Sequence, residues 1–222
     1  MLIPLSYPLT RSSPLYPGTP PPVVKPHRPR SSGAPPRSSI ITVHSHSGTH
    51  IDLPLHFCDN KAVKASLSHE DLIFSPARCI ELPMDPASAI TPQHLSPHLS
   101  AIRTTEALFI RTGSALARSS DPKRYASSHP WVDPSLPSWL RTEVPGLRLF
   151  GIDTISIASP PHREEGRACH RGFLCGPHPI LILEDVNLTD DRILVASWKL
   201  VLFPLLSEEI DGLPVVAIAE LG

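Results

Sequence analysis

An excess of charge of either sign is missing from this 222-residue chain: 20 Lys and Arg face 21 Asp and Glu, a formal net charge of −1. With no broad field to gather a polyanion, nucleic acid and anionic membrane are poor partners, and a small-molecule substrate is expected. Long apolar runs are missing too, since no stretch approaches the roughly 18 consecutive apolar residues of a membrane span. The start, Met1-Leu-Ile-Pro-Leu-Ser-Tyr-Pro, has no basic segment ahead of an apolar one, so a cytoplasmic protein is expected. Aromatic residues make up only 5%, and little advertises an aromatic-stacking pocket. Cysteine is sparse: Cys58, Cys79, Cys169 and Cys175 include no Cys-x-x-Cys pair, which argues against a zinc ribbon or a thioredoxin-type site. Without an export signal these thiols are expected to stay reduced, with Cys58 a small buried residue. No Gly-x-Ser-x-Gly elbow points to a serine hydrolase.

Histidine and proline are abundant instead, at 12 and 28. The prolines crowd into residues 14–36, which can hardly form helix or central strand and read as an extended N-terminal arm, or else as a disordered tail. The length suits a single domain spanning 1–222. Along it, residues 39–47 alternate like a half-buried strand, and 107–110, 147–153, 179–184, 195–204 and 214–219 read as further strands. Short helices are expected over 68–74 and 92–103, and from Asp133 onward. Strands outnumber helices, so the fold class is α/β: a mixed, partly barrel-like β-sheet with short helices packed outside, of a swivelling β/β/α kind.

Three histidines and an aspartate stand out. His46, His50, Asp52 and His56 fall within 11 residues on one parity. On a strand, side chains two residues apart project the same way at about 6.6–7 Å, so His50 and Asp52 can grip one ion, and His46 can join them if Gly48 folds the chain back. Pro54 argues that 50–57 form a short edge strand or a loop leaving a sheet. Two imidazoles and a carboxylate leave positions open for water and substrate, which favours Zn²⁺ or Mn²⁺ over Ca²⁺. The competing reading is a polar strand face with solvated histidines; one His alone would favour that, but three with an Asp on one face favour a metal. His44 shares the parity, yet precedes the bend and reads as a spectator.

The string His46-x-Gly48-Thr49-His50-x-Asp52-x-Pro54-x-His56-Phe57 resembles, without a gap, the signature of the cyclase-like metal-dependent hydrolases, which include bacterial kynurenine formamidase and isatin hydrolase. The likeness continues through Tyr16-Pro-Gly-Thr-Pro, Phe109-Ile-Arg-Thr-Gly, Gly151-Ile-Asp-Thr-Ile-Ser and Gly212-Leu-Pro-Val-Val-Ala. It implies that His46, His50 and Asp52 bind a first metal, that Asp52 bridges to a second, and that His56 is the acid/base. It further implies that His170 and Glu184 complete a second metal site, with His162 and His178 as local competitors for the histidine. Tyr16 matches an aromatic position that can border the substrate pocket, although a packing role is as common. The pattern departs at Thr19, where an acidic residue is usual, and at Val216, where an arginine is. The implied activity is hydrolysis of an amide, with an arylformamide such as N-formylkynurenine ahead of a cyclic amide or lactone opened as isatin is, and of polyketide-type cyclisation. A protein with a purely structural metal is the alternative from another class. The resemblance also implies two ions per subunit and a homodimer or homotetramer, with the Pro-rich arm crossing the interface.

Overall fold

A computed structural model describes residues 1–28, 38–58, 68–205 and 209–222. Its strands are β1 (Leu2–Pro4), β2 (Val23–Arg28), β3 (Ser38–Thr42), β4 (His50–Asp52), β5 (Ile73–Glu81), β6 (Ala89–Ile90), β7 (Ala107–Arg111), β8 (Trp131–Val132), β9 (Leu149–Ile152), β10 (Leu181–Glu184), β11 (Trp198–Pro204) and β12 (Gly212–Glu220). The main sheet runs β1-β12-β11-β5-β7-β9-β10-β4, and β4 also pairs with β12. That last pairing closes seven strands into a barrel, with β1 appended along the far half of β12. The mixed, barrel-like α/β class read from the sequence is the class observed, because β5, β7, β9 and β10 are parallel while β4, β11 and β12 run against their neighbours.

Two apolar clusters show why the strands read as they do. In β7, Ala107 and Phe109 join the cluster that fills the barrel, while Leu108 and Ile110 join a second cluster beneath the outer helices. Strands β9 and β10 divide in the same way, with Leu149, Leu181 and Leu183 inward and Phe150, Ile152 and Ile182 outward. Burial on both faces yields continuous apolar runs. Strands β11 and β12 have only their inner face covered, so Leu200 and Ala217 are buried while Phe203 and Val216 stay exposed. Two of the recurring motifs are bound together: the buried Asp153 carboxylate accepts the backbone N–H groups of Thr112, Gly113 and Ser114 and the Thr112 hydroxyl, at 2.6–3.1 Å.

Several elements differ from the sequence reading. Residues 38–42 are not half-buried; β2 and β3 form a separate two-stranded hairpin, and every residue of β3 is exposed. Alternation gave the right periodicity but could not tell which sheet the strand joins. Strand β2 lies within the arm at 14–36, of which residues 14–28 are described and 29–36 lie outside the described residues. The helix expected over 68–74 is a single 3-10 turn, His69–Leu72, held by the Ser68 and Asp71 capping box, and residues 73 and 74 already belong to β5. The span 92–103 is three short turns, divided around Pro97. A 12-residue helix, Arg163–Leu174, lies where no helix was expected. Its buried positions Gly166, Cys169, His170, Phe173 and Leu174 follow helical spacing, which the prolines ahead of it and its two glycines conceal. Finally, β4 is no edge strand: it is paired on both sides. Pro54 sits two residues beyond it, in a 3-10 turn, and so removes no ladder hydrogen bond.

The cysteines also depart from expectation. Cys58 and Cys175 form a disulfide, with Cα atoms 5.7 Å apart and a sequence separation of 117. The expectation of reduced thiols rested on the missing export signal, which says nothing about a pair brought together by the fold. Cys79 and Cys169 remain free and buried. Among the described residues no helix is long and apolar enough to cross a membrane.

Candidate metal centre

The pleat of β4 sends Ile51 into the barrel and turns His50 and Asp52 outward. On β10, Glu184 faces the same way and stands directly opposite His50 in the antiparallel register. The helix Arg163–Leu174 brings His170 down onto this pair, its Nε2 3.5 Å from Asp52 Oδ2 and 3.6 Å from Glu184 Oε1. His50 Nε2 lies 3.3 Å from Asp52 Oδ1 and 3.4 Å from Glu184 Oε2. His46 reaches the cluster because Gly48 adopts φ +64, a left-handed bend that glycine takes without strain, and its Nδ1 meets Asp52 Oδ1 at 2.7 Å. The 3-10 turn Pro54–His56 then stacks the His56 ring on that of His46, centroids 4.0 Å apart.

The histidines are oriented by their surroundings. His50 Nδ1 donates to the Gly48 carbonyl at 2.8 Å, and His170 Nδ1 donates to the Gly166 carbonyl at 2.7 Å. Each ring is thereby left with Nε2 as its ligand atom, the arrangement typical of metal-binding histidines. Glu184 is fixed through Oε1, which accepts the Ile157 N–H at 2.7 Å and the Ser156 hydroxyl at 3.0 Å.

The donor set fits a divalent ion. His50 Nε2 and Asp52 Oδ2 are buried without any hydrogen-bond partner, although both belong to strongly polar groups. Two groups of three have donor atoms within 4.8 Å of one another: His50, Asp52 and Glu184, and His46, Asp52 and His56. Asp52 is common to both. The buried carboxylates act on the imidazoles. Burial alone would lower His170, but the Asp52 and Glu184 carboxylates beside its Nε2 outweigh that and push it up to about 10. His50 is raised by the same balance. Glu184, raised by burial and by Asp52, is nevertheless brought down to about 2 by His170 and His50, and Asp52 is held well below the usual carboxylate range. His56 moves the other way: burial pulls it down to about 4, Asp52 opposing and His46 adding to the effect.

His46, His50, His56, His170 and Glu184 form the floor of a cleft of about 360 Å³. Phe57, Ile155 and Ala158 line its walls, while Tyr16, Thr19 and His44 lie further along the lining. His162 stacks on Trp131, with centroids 4.3 Å apart, and His178 is exposed, so the structure brings neither to the cluster. Two contributors escaped the sequence reading. Asp211 Oδ2 lies 3.1 Å from His46 Nε2 and 3.8 Å from His56 Nδ1. A lone aspartate 165 residues from His46 carries no local pattern; its only flag is its place beside the Gly212-Leu-Pro motif. Cys58 and Cys175 tie the end of the His56 turn to the end of the His170 helix.

The Cyclase family profile matches residues 3–159, most of the chain, including the whole histidine segment. The chain belongs to the Cyclase family. Within the set of relatives, this Cyclase-family chain is 30% identical over 225 residues to the kynurenine formamidase of Bordetella avium, covering 98% of this chain and 97% of that one. It is 32% identical over 177 residues to the kynurenine formamidase of Geobacillus thermodenitrificans, covering 80% and 77%. Among solved structures, isatin hydrolase A from Ralstonia solanacearum superposes with a TM-score of 0.80 at 18% identity, covering 100% of this chain and 92% of that one. A potential metal-dependent hydrolase with cyclase activity gives 0.76 at 21%, covering 99% and 96%. At those identities the structural likeness is one of fold.

Proposed function

We propose that this chain is a metal-dependent amidohydrolase acting on an arylformamide such as N-formylkynurenine. The observation that carries the reading is that His50 Nε2 and Asp52 Oδ2 are buried and unpartnered beside an open cleft that His46, His50, His170 and Glu184 line. A structural ion is normally enclosed on all sides by protein ligands, often cysteines, and here the donors face the cleft and include none. The relatives at 30–32% identity carry the name kynurenine formamidase, which supports the C–N bond as the one cleaved.

His46, His50, Asp52, His170 and Glu184 would hold the metal, with Asp52 shared if two ions are bound. Imidazole and carboxylate donors suit Zn²⁺ or Mn²⁺. When bound, the ion lowers the pKa of a water and polarises a carbonyl oxygen. His56, neutral at pH 7 because burial holds it down, is placed to accept a proton at Nε2 and return it to the departing amine. Its Nδ1 faces Asp211, which orients the ring and favours the imidazolium formed during turnover. Phe57 and Ile155 offer apolar walls to an aryl group.

The chain is further proposed to act in the cytoplasm as a homodimer or homotetramer, and the exposed Val24, Ile40 and Ile41 of the β2–β3 hairpin are the apolar surface such an assembly would cover. The test of activity is a panel of formanilides, isatin-type cyclic amides and lactones, assayed after chelation and after addition of Zn²⁺ or Mn²⁺. Formamide hydrolysis that disappears on chelation and returns with the metal is expected. Preference for the cyclic amide would move the substrate to ring opening at the same donors. Unfolding on chelation with no hydrolysis of any member would overturn the enzyme reading.

A further inference from the structure

The helix Arg163–Leu174 carries more than His170 to the cleft. Arg163, Arg167 and His170 are separated by four and three residues, which places them on one stripe of the helix, and all three line the cleft. At about 1.5 Å rise per residue, Arg167 stands about 4.5 Å and Arg163 about 10.5 Å along the axis from the histidine. The stripe therefore runs from the donor cluster at the floor towards the rim, changing from a buried imidazole to two exposed guanidiniums.

The charge at that rim is unbalanced. Glu164 pairs with Arg167 at 2.8 Å, but neither Glu164 nor Glu165 is part of the cleft lining. Among the described residues, Arg163 makes no hydrogen bond or ion pair. The acidic side chain in the lining is Glu184, buried at the floor and already engaged by Ser156, Ile157 and the histidines. Nearby rim positions are the uncharged Thr19 and Tyr16. The field of Arg163 does reach into the cleft: burial raises the Tyr16 phenol, and Arg163 is the group that opposes that rise.

We propose that Arg163, seconded by Arg167, is a specificity residue that binds a carboxylate on the substrate, so that the enzyme prefers aryl amides carrying an anionic chain over neutral ones. The inference rests on the amidohydrolase reading for the identity of the reacting bond, and on the stripe alone for the anion. The scissile amide lies at the floor, the aryl ring between Phe57 and Ile155, and the carboxylate at the rim, where a guanidinium can take it through two parallel N–H donors.

The test compares 4-(2-formamidophenyl)-4-oxobutanoate with neutral 2-formamidoacetophenone as substrates. It also measures binding of their deformylated amines to the metal-free protein by calorimetry. In Arg163→Gln the KM for the carboxylate substrate is expected to rise about 10–100-fold with kcat little changed, the range for a hydrogen-bonded charge pair. The neutral substrate should be unaffected, Arg163→Lys should recover part of the loss, and the loss should shrink at high salt. Calorimetry should show the same selective weakening for the carboxylate amine, whatever the fate of the catalytic reading. If the wild type hydrolyses neither compound yet binds the carboxylate amine through Arg163, the reaction assignment fails and the anion site stands. Equal effects of the substitution on both amines, or none on the carboxylate one, would overturn the anion site.

Discussion

His56 and Gly212 show how much a single position can decide here. His56 stacks on His46 and belongs to one of the two donor groups, so its part in proton transfer and a part in metal binding make different predictions. For His56→Ala, turnover is expected to fall by about 10²–10⁴ while the metal content measured by atomic emission is unchanged. Loss of one metal equivalent would make it a ligand instead. Gly212 is required for space: a Cβ there would lie 2.6 Å from His46 Cε1 and 2.8 Å from the Ile51 carbonyl oxygen. Gly212→Ala should therefore displace the His46 ring and weaken metal affinity by about 10–100-fold, read by chelator competition, with the circular dichroism of the fold retained. Full affinity would show that His46 does not depend on that cavity. The sequence made the β4 ligands legible because His50 and Asp52 are two residues apart on a strand, a spacing that carries its own geometry. Asp211, Ser156 and Arg163 were not legible, since each joins the site through tertiary packing and none repeats with the ligand period.

At the scale of elements, the helix Arg163–Leu174 and the turn Pro54–His56 are the two pieces that must be registered against each other, and the Cys58–Cys175 bridge ties their ends. It closes a long loop, for which chain entropy gives about 5 kcal/mol as an upper figure, against about 2–4 kcal/mol typical of disulfides. The double variant Cys58→Ser/Cys175→Ser should melt several degrees lower than the oxidised protein, and metal loading should recover part of the difference, because the proposed ion would join His170 of that helix to His50 and Asp52 of β4, just ahead of the turn. An unchanged melting temperature in both states would mean that the bridge adds nothing to ligand registration. Element reading succeeded where one signal dominated: a continuous apolar run in β7 and β10, and alternation in β12. It failed where two causes overlapped: β5 contains Pro76 and begins within a residue of a 3-10 turn, and the His170 helix presents prolines and glycines at positions that read as loop.

For the molecule as a whole, protons and metal compete for the same buried charges. His50 and His170 are raised above their unfolded value near 6.5, so the stability they give the metal-free fold is complete below that pH. It is lost as pH rises towards about 10 for His170. Metal uptake follows the opposite sign, because each imidazole must shed its proton to become a ligand. Zinc affinity of the metal-free protein should climb from about pH 6.5 upward with a slope of between about one and two protons; a flat profile would mean that both rings are already neutral. The barrel class was visible in the alternation of strands and short helices, but its closure was not: nothing in His50-Ile51-Asp52 announces two partners, β10 on one side and β12 on the other.

That three-residue strand is the seam of the ring, and the residues that stitch it are also the proposed ligands. Up to residue 58 the chain brings His46, His50, Asp52 and His56; His170 and Glu184 arrive more than 110 residues later, and Asp211 later still. No fragment that ends before Glu184 carries the full donor set, and Asp211, which meets His46, needs the chain beyond it. Retention of metal is therefore a report on whether the circle has been completed, so a chelation assay on this protein doubles as a measurement of its folding.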